Sequence, residues 1–167
     1  MSNAVTIEIA QESDLWQDAD AIEALITRAV ARSVDVAALA DAPGAELSIV
    51  LTDDASIRQI NAEWRGKDKA TNVLSFPQAV GDAIATVPML GDIIFAHETI
   101  AREAEESSVS FADHLSHLTV HGLLHLFGHD HLNDAEAEVM EALEVRILAD
   151  LGIANPYADA PLLREAS

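Results

Sequence analysis

The segment HGLLHLFGHDH, residues 121–131, constrains the fold of this chain most, because it holds four histidines in eleven residues. Residues four apart on a helix share one face, with Cβ atoms about 5–6 Å apart, so His121 and His125 can direct their imidazoles at one metal ion. Gly128 is suited to end that helix, and His131 then follows on the returning chain. The spacing therefore predicts a metal site with His121, His125 and His131 as ligands.

The remaining histidines are interpreted without a metal. His117 lies four residues before His121, and a metal shared by these two stays open as an alternative. His117, His121 and His125 cannot all bind one ion, because the stripe they form spans about 12 Å. The return of the chain at Gly128 favours the pair of His121 and His125. We interpret His117 as a core or hydrogen-bonded histidine. His97 and His114 are expected to be ordinary polar residues. His129 is expected to point away from the metal.

The donor set also indicates what such a site does. The chain has no cysteine, and three imidazoles leave the fourth zinc position open, which is typical of catalytic rather than structural zinc. The spacing equals that of the zinc-protease motif H-E-x-x-H-x-x-G-x-x-H, but Gly122 stands where the glutamate is expected. That glutamate is the general base of the protease, so the pattern favours a hydrolytic metal site other than a peptidase.

Charge is distributed unevenly along the chain. There are 29 acidic and 9 basic residues, for a formal net charge of −20. This balance alone argues against a nucleic-acid partner, because phosphate binding needs lysine and arginine. However, four of the nine basic residues fall within twelve positions: Arg58, Arg65, Lys67 and Lys69. The cluster is either a solvated loop or a local anion site.

Apolar periodicity predicts an α/β fold, or α+β by some criteria, with about four strands and five helices in a single layered domain over residues 1–167. The expected strands are residues 5–9, 47–51, 71–76 and 90–95. The expected helices are residues 18–31, a helix capped by Asp53 or Asp54, one ending near residue 106, and helices 110–128 and 133–152. Residues 157–167 are expected to form an irregular tail. The order of the strands in a mixed sheet is not predicted.

Three segments together resemble the bacterial YbeY family of rRNA-maturation endoribonucleases. They are HGLLHLFGHDH, WRGKDKATNVLSFP at residues 64–77 and LGDIIF at residues 90–95, and the resemblance covers about residues 47–152. It implies a single α/β domain with a zincin-like metal helix. It also implies one metal ion per chain, usually taken as zinc, and single-strand RNA cleavage in 16S rRNA 3′-end maturation and ribosome quality control.

The resemblance assigns roles to individual residues. It implies that His121, His125 and His131 bind the metal and that Arg65 is the functional arginine. The resemblance also makes Lys67 and Lys69, together with Arg65, candidates for binding the substrate. The chain departs from the family pattern at His129, where tyrosine is common, and at Ala70, where proline is common. The second change is expected to loosen the basic loop.

Two other functions remain as alternatives: a zinc metallopeptidase, which Gly122 disfavours, and a non-catalytic zinc protein associated with the ribosome. The expected partners are the 16S rRNA precursor and the ribosome, with neither DNA nor a membrane. A cytoplasmic location is expected, because cysteine is absent and the chain lacks a long apolar run. Asp130 is either a carboxylate that orients a ligand histidine or a solvated acid. Asn72 and Ser75 are left outside the catalytic set.

Overall fold

The computed structural model describes residues 5–36, 46–77, 89–126 and 133–156. In these ranges four strands and five helices follow one another, as predicted. They are β1 (Thr6–Gln11), α1 (Ala19–Val36), β2 (Glu46–Thr52), α2 (Asp54–Arg65), β3 (Val73–Pro77), β4 (Met89–Ala96), α3 (His97–Glu106), α4 (Phe111–Leu126) and α5 (Asp134–Asp150). The tail predicted for residues 157–167 lies outside the described residues.

The four strands form one mixed sheet in the order β1-β2-β4-β3. β1 and β2 are parallel, β2 and β4 are parallel, and β3 runs antiparallel to β4. Parallel neighbours need crossover connections, and helices supply them. The α/β class and the mixed four-stranded sheet are therefore confirmed, with β3 at one edge.

The sheet is covered on both faces, because alternate side chains of a strand point to opposite sides. On one face, Leu47, Ile49 and Ile93 belong to the main core, together with residues of α1 and α4. On the other face, Leu74 and Ile94 pack against Ile57 of α2. α2 and α4 thus lie on opposite sides of the sheet.

α4 is the central helix of the fold. Twelve of its sixteen residues are buried. Leu115 and Leu118 belong to the core cluster at the sheet, whereas Val120 and Leu124 pack with Met140 and other residues of α5. The neighbours of α4 also bury His114, His117 and His121, whereas His125 is half-buried.

Three helix starts match the capping residues expected from the sequence, and at the start of α4 the hydroxyl of Ser110 accepts a hydrogen bond from the N–H of Asp113. Asp53 accepts a hydrogen bond from the backbone N–H of Ser56, so it is Asp53 rather than Asp54 that caps α2. Asn133 likewise accepts from the N–H of Glu136 at the start of α5. Such caps satisfy backbone donors that the helix itself leaves unpaired. α1 extends five residues beyond its predicted end, to Val36.

Within the described ranges, no helix combines the length and the apolar character that crossing a membrane would require.

Candidate metal centre and basic surface

His121 and His125 lie one turn apart on α4, and the structure brings their imidazoles together. The ring centroids are 4.7 Å apart and the ring planes meet at 81°. The Nε2 atoms of both rings are buried. Neighbouring imidazoles supply the nitrogen donors that zinc and similar metals prefer, so this part of the predicted ligand set fits a metal ion.

Glu144 of α5 joins two histidines of α4. One carboxylate oxygen lies 2.7 Å from Nδ1 of His121, and the other lies 2.9 Å from Nε2 of His117. The Glu144 side chain is 0% exposed. An ionised carboxylate only accepts hydrogen bonds, so both ring nitrogens that face it carry hydrogen. Because Nδ1 of His121 faces Glu144, Nε2 is the ring nitrogen of His121 that remains to bind a metal ion.

The protonation state of Glu144 follows from these contacts. Burial raises the pKa of the Glu144 carboxyl, but the hydrogen bonds from His117 and His121 outweigh burial and hold that pKa far below its ordinary value. Burial is also the main reason why the pKa of His117 is lowered. The buried group is therefore an ionised Glu144 that accepts hydrogen bonds from His117 and His121.

The interpretation of His117 as a hydrogen-bonded core residue agrees with this contact, whereas Glu144 was missed. Its signal in the sequence is an acid on the apolar stripe of α5, where Met140 precedes it by four residues and Ile147 follows it by three. A carboxylate in such a stripe is buried and needs a partner. Asp130, the predicted orienting carboxylate, lies outside the described residues.

His131, the third predicted ligand, also lies outside the described residues, as do Gly128 and His129. In the described part of the chain, no group of three or more histidine, cysteine, aspartate or glutamate side chains could hold a metal ion. The described residues thus supply two donors of the predicted set, His121 and His125.

His114, a third buried histidine of α4, lies one turn before His117. Nε2 of His114 is 2.9 Å from a carboxylate oxygen of Glu103 on α3, and the side-chain amide of Asn72 donates to the same oxygen. The expectation that His114 is an ordinary polar residue is wrong, because it is buried. These contacts link the start of β3 to α3 and α4.

The basic residues lie at the surface around the end of α2. Arg65 is the last residue of this helix and is exposed, as are Lys67 and Lys69. Asp68 pairs with Arg58 at 2.8 Å, and the hydrogen bond from Arg58 lowers the pKa of the Asp68 carboxyl. The acid within the cluster is therefore held by Arg58 rather than by Arg65.

The C-terminal half of β3 connects the basic residues with α4. The ring of Phe76 lies 6.4 Å from the ring of Trp64, which precedes Arg65. On the opposite face of β3, the hydroxyl of Ser75 lies 3.1 Å from where a Cβ on Gly122 would be. Gly122 adjoins His121 on α4. The end of α2 and the histidine pair of α4 therefore lie on the two sides of one edge strand.

Together, the fold and the histidine pair define an α/β protein with a candidate metal centre on a buried helix and a basic surface across the sheet edge.

Comparisons with known proteins identify the family. The model of the family described as Endoribonuclease YbeY matches residues 6–152. Among curated relatives, Endoribonuclease YbeY of Rhizobium meliloti is 52% identical over 95% of this chain and 98% of its own length. The protein of the same name from Rhizobium etli is 64% identical over 72% of this chain and 71% of its own length.

This chain therefore belongs to the YbeY family of endoribonucleases, which are metal-dependent hydrolases acting on RNA. The fold agrees with a solved structure. The solution structure of a Thermotoga maritima protein superimposes with a TM-score of 0.56 at 22% identity, covering 88% of this chain and 92% of that one. At this identity the likeness concerns the fold alone.

Proposed function

We propose that this protein is a single-strand-specific endoribonuclease that matures the 3′ end of 16S rRNA and takes part in ribosome quality control. The observation that carries the proposal is the pair of imidazoles of His121 and His125 on α4, in a chain of the YbeY family. The Nε2 atoms of both rings are buried, and Glu144 holds Nδ1 of His121. The precursor of 16S rRNA and the ribosome are the proposed partners, and the cytoplasm is the proposed location.

The proposed cofactor is one zinc ion per chain, bound by His121, His125 and His131. When bound, the ion supplies Lewis acidity at the scissile phosphate. The chain's own contribution is to hold the donors in place. The hydrogen bond of 2.7 Å between Glu144 and Nδ1 of His121 directs Nε2 to the metal, an arrangement common around histidine-bound metals. His117 holds the second oxygen of Glu144.

Arg65 is the proposed catalytic residue besides the metal ligands. Its guanidinium can hold two phosphate oxygens at once and stabilise charge that develops during cleavage. Within the described residues, no ion pair or hydrogen bond engages the Arg65 side chain, and Asp68 is already bound to Arg58. Arg65 is therefore available for a phosphate. Lys67 and Lys69 are proposed to bind the substrate backbone.

The peptidase alternative is not favoured by the relatives, whose names are those of endoribonucleases. Packing at Gly122 argues in the same direction. A Cβ there would lie 3.1 Å from the Ser75 hydroxyl and 3.2 Å from two carbons of Ile93. A glutamate at this position would crowd the side chains of Ser75 and Ile93, so packing disfavours the general base of the protease motif.

Cleavage assays on three substrates test the proposal. We expect the zinc-loaded protein to cut a single-stranded fragment from the 3′ end of precursor 16S rRNA. The same fragment annealed to its complement should be cut much more slowly, and a casein-like peptide should stay intact. A chelator should abolish RNA cleavage, and zinc should restore it. Peptide cleavage would support the metallopeptidase, and a chelator that only lowers the melting temperature without any RNA cleavage would support the non-catalytic alternative.

A further inference from the structure

Trp64 is the most exposed of the large apolar side chains in the described residues, at 70%. It lies in the last turn of α2 and directly precedes Arg65. The indole ring of Trp64 contacts the ring of Phe76, with the centroids 6.4 Å apart and the planes at 62°. The other tryptophan of the chain, Trp16, is 3% exposed and donates its indole N–H to the carbonyl of Thr52. Trp16 therefore has a structural role in the core, whereas the exposed Trp64 does not.

The segment that follows Trp64, residues 65–69, holds three basic residues and one acid in a chain whose net charge is −20. Arg65, Lys67 and Lys69 are exposed, and in the part of the chain that the structure describes their side chains form no ion pair. The neighbouring acid Asp68 is neutralised by Arg58 at 2.8 Å. An exposed indole among unpaired cations is the combination by which proteins bind single-stranded nucleic acid, because cations hold the phosphates and aromatic rings stack on the bases.

We propose that the Trp64 indole is a stacking platform for one base of the single-stranded RNA substrate. The inference rests on the proposed endoribonuclease function and adds a binding residue to it. From Trp64, the RNA strand crosses the edge strand β3 towards the histidines, because Phe76 contacts Trp64 while Ser75 lies against Gly122 of α4. Bases of a duplex are already stacked on one another, so Trp64 favours unpaired RNA.

The first experiment uses the fluorescence of the two tryptophans separately. In Trp16→Phe the emission comes from Trp64, and in Trp64→Phe it comes from Trp16. Each zinc-loaded variant is mixed with a single-stranded adenylate RNA of about ten nucleotides, within the usual site size for such binding. We expect strong quenching in Trp16→Phe and none in Trp64→Phe. Gel analysis of the same samples follows RNA cleavage.

The second experiment separates stacking from apolar contact. Trp64→Leu should bind the RNA about tenfold more weakly than wild type, because base stacking is lost, whereas Trp64→Phe should stay close to wild type. Val139→Ala is the matched control, since Val139 is an exposed apolar residue of α5, and it should bind as wild type does. Equal melting temperatures would show that all variants are folded.

The outcomes distinguish this inference from the function on which it rests. If Trp64 emission stays unchanged while RNA binds and is cut, or if Trp64→Leu binds RNA as tightly as wild type, the stacking role is wrong and the endoribonuclease function stands. If Trp64→Leu instead disrupts a dimer without weakening RNA binding, Trp64 belongs to a protein contact, and the inference is equally overturned. If the wild-type protein neither binds nor cuts RNA, both proposals fail.

Discussion

At the scale of single residues, Glu144 orients one of the two histidines of the candidate metal centre, His121. Its two oxygens lie 2.7 Å from His121 and 2.9 Å from His117, and it has no exposure to solvent. A buried charge is tolerated only when it is paired and hydrogen-bonded. The same contacts that satisfy Glu144 therefore fix the orientation of His121.

Replacement of Glu144 by glutamine tests this role. The amide keeps the size of the side chain, but its NH₂ group would face one of two imidazole N–H donors, so one hydrogen bond is lost. We expect Glu144→Gln to bind zinc about 10–100-fold more weakly, as when other residues that support metal ligands are changed. Competition with a chromophoric chelator measures the affinity. Glu138→Gln, an exposed change on the same helix, should leave it unaltered; equal affinities for all three proteins would refute the role.

Arg65 is predicted to act in the chemical step. Arg65→Lys retains the charge but loses the two-point grip on the phosphate, so we expect the cleavage rate in single turnover at saturating enzyme to fall by at least about tenfold. Metal content and melting temperature should not change. Arg58→Lys, which alters the arginine bound to Asp68, should cleave at the wild-type rate. If Arg65→Ala is as fast as wild type but melts several degrees lower, Arg65 is structural.

At the scale of secondary-structure elements, the close approach of α4 to the sheet is what places the histidines beside β3. Gly122 makes the approach possible, because the positions of Ser75 and Ile93 leave little room for a side chain on that face of the helix. Glycine lowers helix stability by about 1 kcal/mol relative to alanine. Here that cost is offset by the packing of α4 on β3 and β4.

Gly122→Ala is therefore expected to destabilise the protein even though alanine favours the helix. The new Cβ would be 3.1–3.2 Å from its neighbours, and overpacking a core typically costs about 1–3 kcal/mol. We expect a net loss of about 1 kcal/mol in the free energy of unfolding, measured by urea denaturation. Ile93→Val in the same background removes one of the crowded carbons and should recover part of the loss. A Gly122→Ala variant more stable than wild type would show that the helix has room to move.

At the scale of the whole molecule, the net charge of −20 opposes RNA binding, and four of the nine basic residues lie between residues 58 and 69. If Arg65, Lys67 and Lys69 are the phosphate contacts, the logarithm of the RNA association constant should fall with the logarithm of salt concentration with a slope of about −2. Binding titrations over a range of salt concentrations measure the slope.

The individual contributions to this slope are testable. Lys67→Ala and Lys69→Ala should each reduce its magnitude by about 0.7. Arg32→Ala is the control, because it changes the net charge by the same amount. Arg32 lies on α1, where it pairs with Asp150 at 3.4 Å, so this variant should show the wild-type slope. A slope near zero, or equal effects of the three substitutions, would mean that binding depends on total charge rather than on the cluster.

Local sequence patterns were sufficient to predict the elements of this fold, because strands and helices follow from the periodicity of neighbouring residues. The order of the strands could not be predicted from local patterns, because β2 pairs with β4, and α2 and β3 separate these two strands in the sequence. The candidate site likewise has a part that follows from local sequence and a part that depends on tertiary packing. Histidines four apart could be placed on one helix, whereas Glu144, 23 residues from His121, meets it only after α5 has packed on α4.

Metal content and RNA cleavage, measured together on purified His125→Ala, test the central claim most directly. The wild-type protein should contain about one zinc per chain, as expected for a single histidine site, and should cut single-stranded rRNA. His125→Ala should lose the zinc and the cleavage. His97→Gln, which changes a histidine that packs against Trp16 and Phe111, should retain both. If His125→Ala keeps a full equivalent of zinc and cuts RNA at the wild-type rate, the metal centre proposed on α4 is wrong.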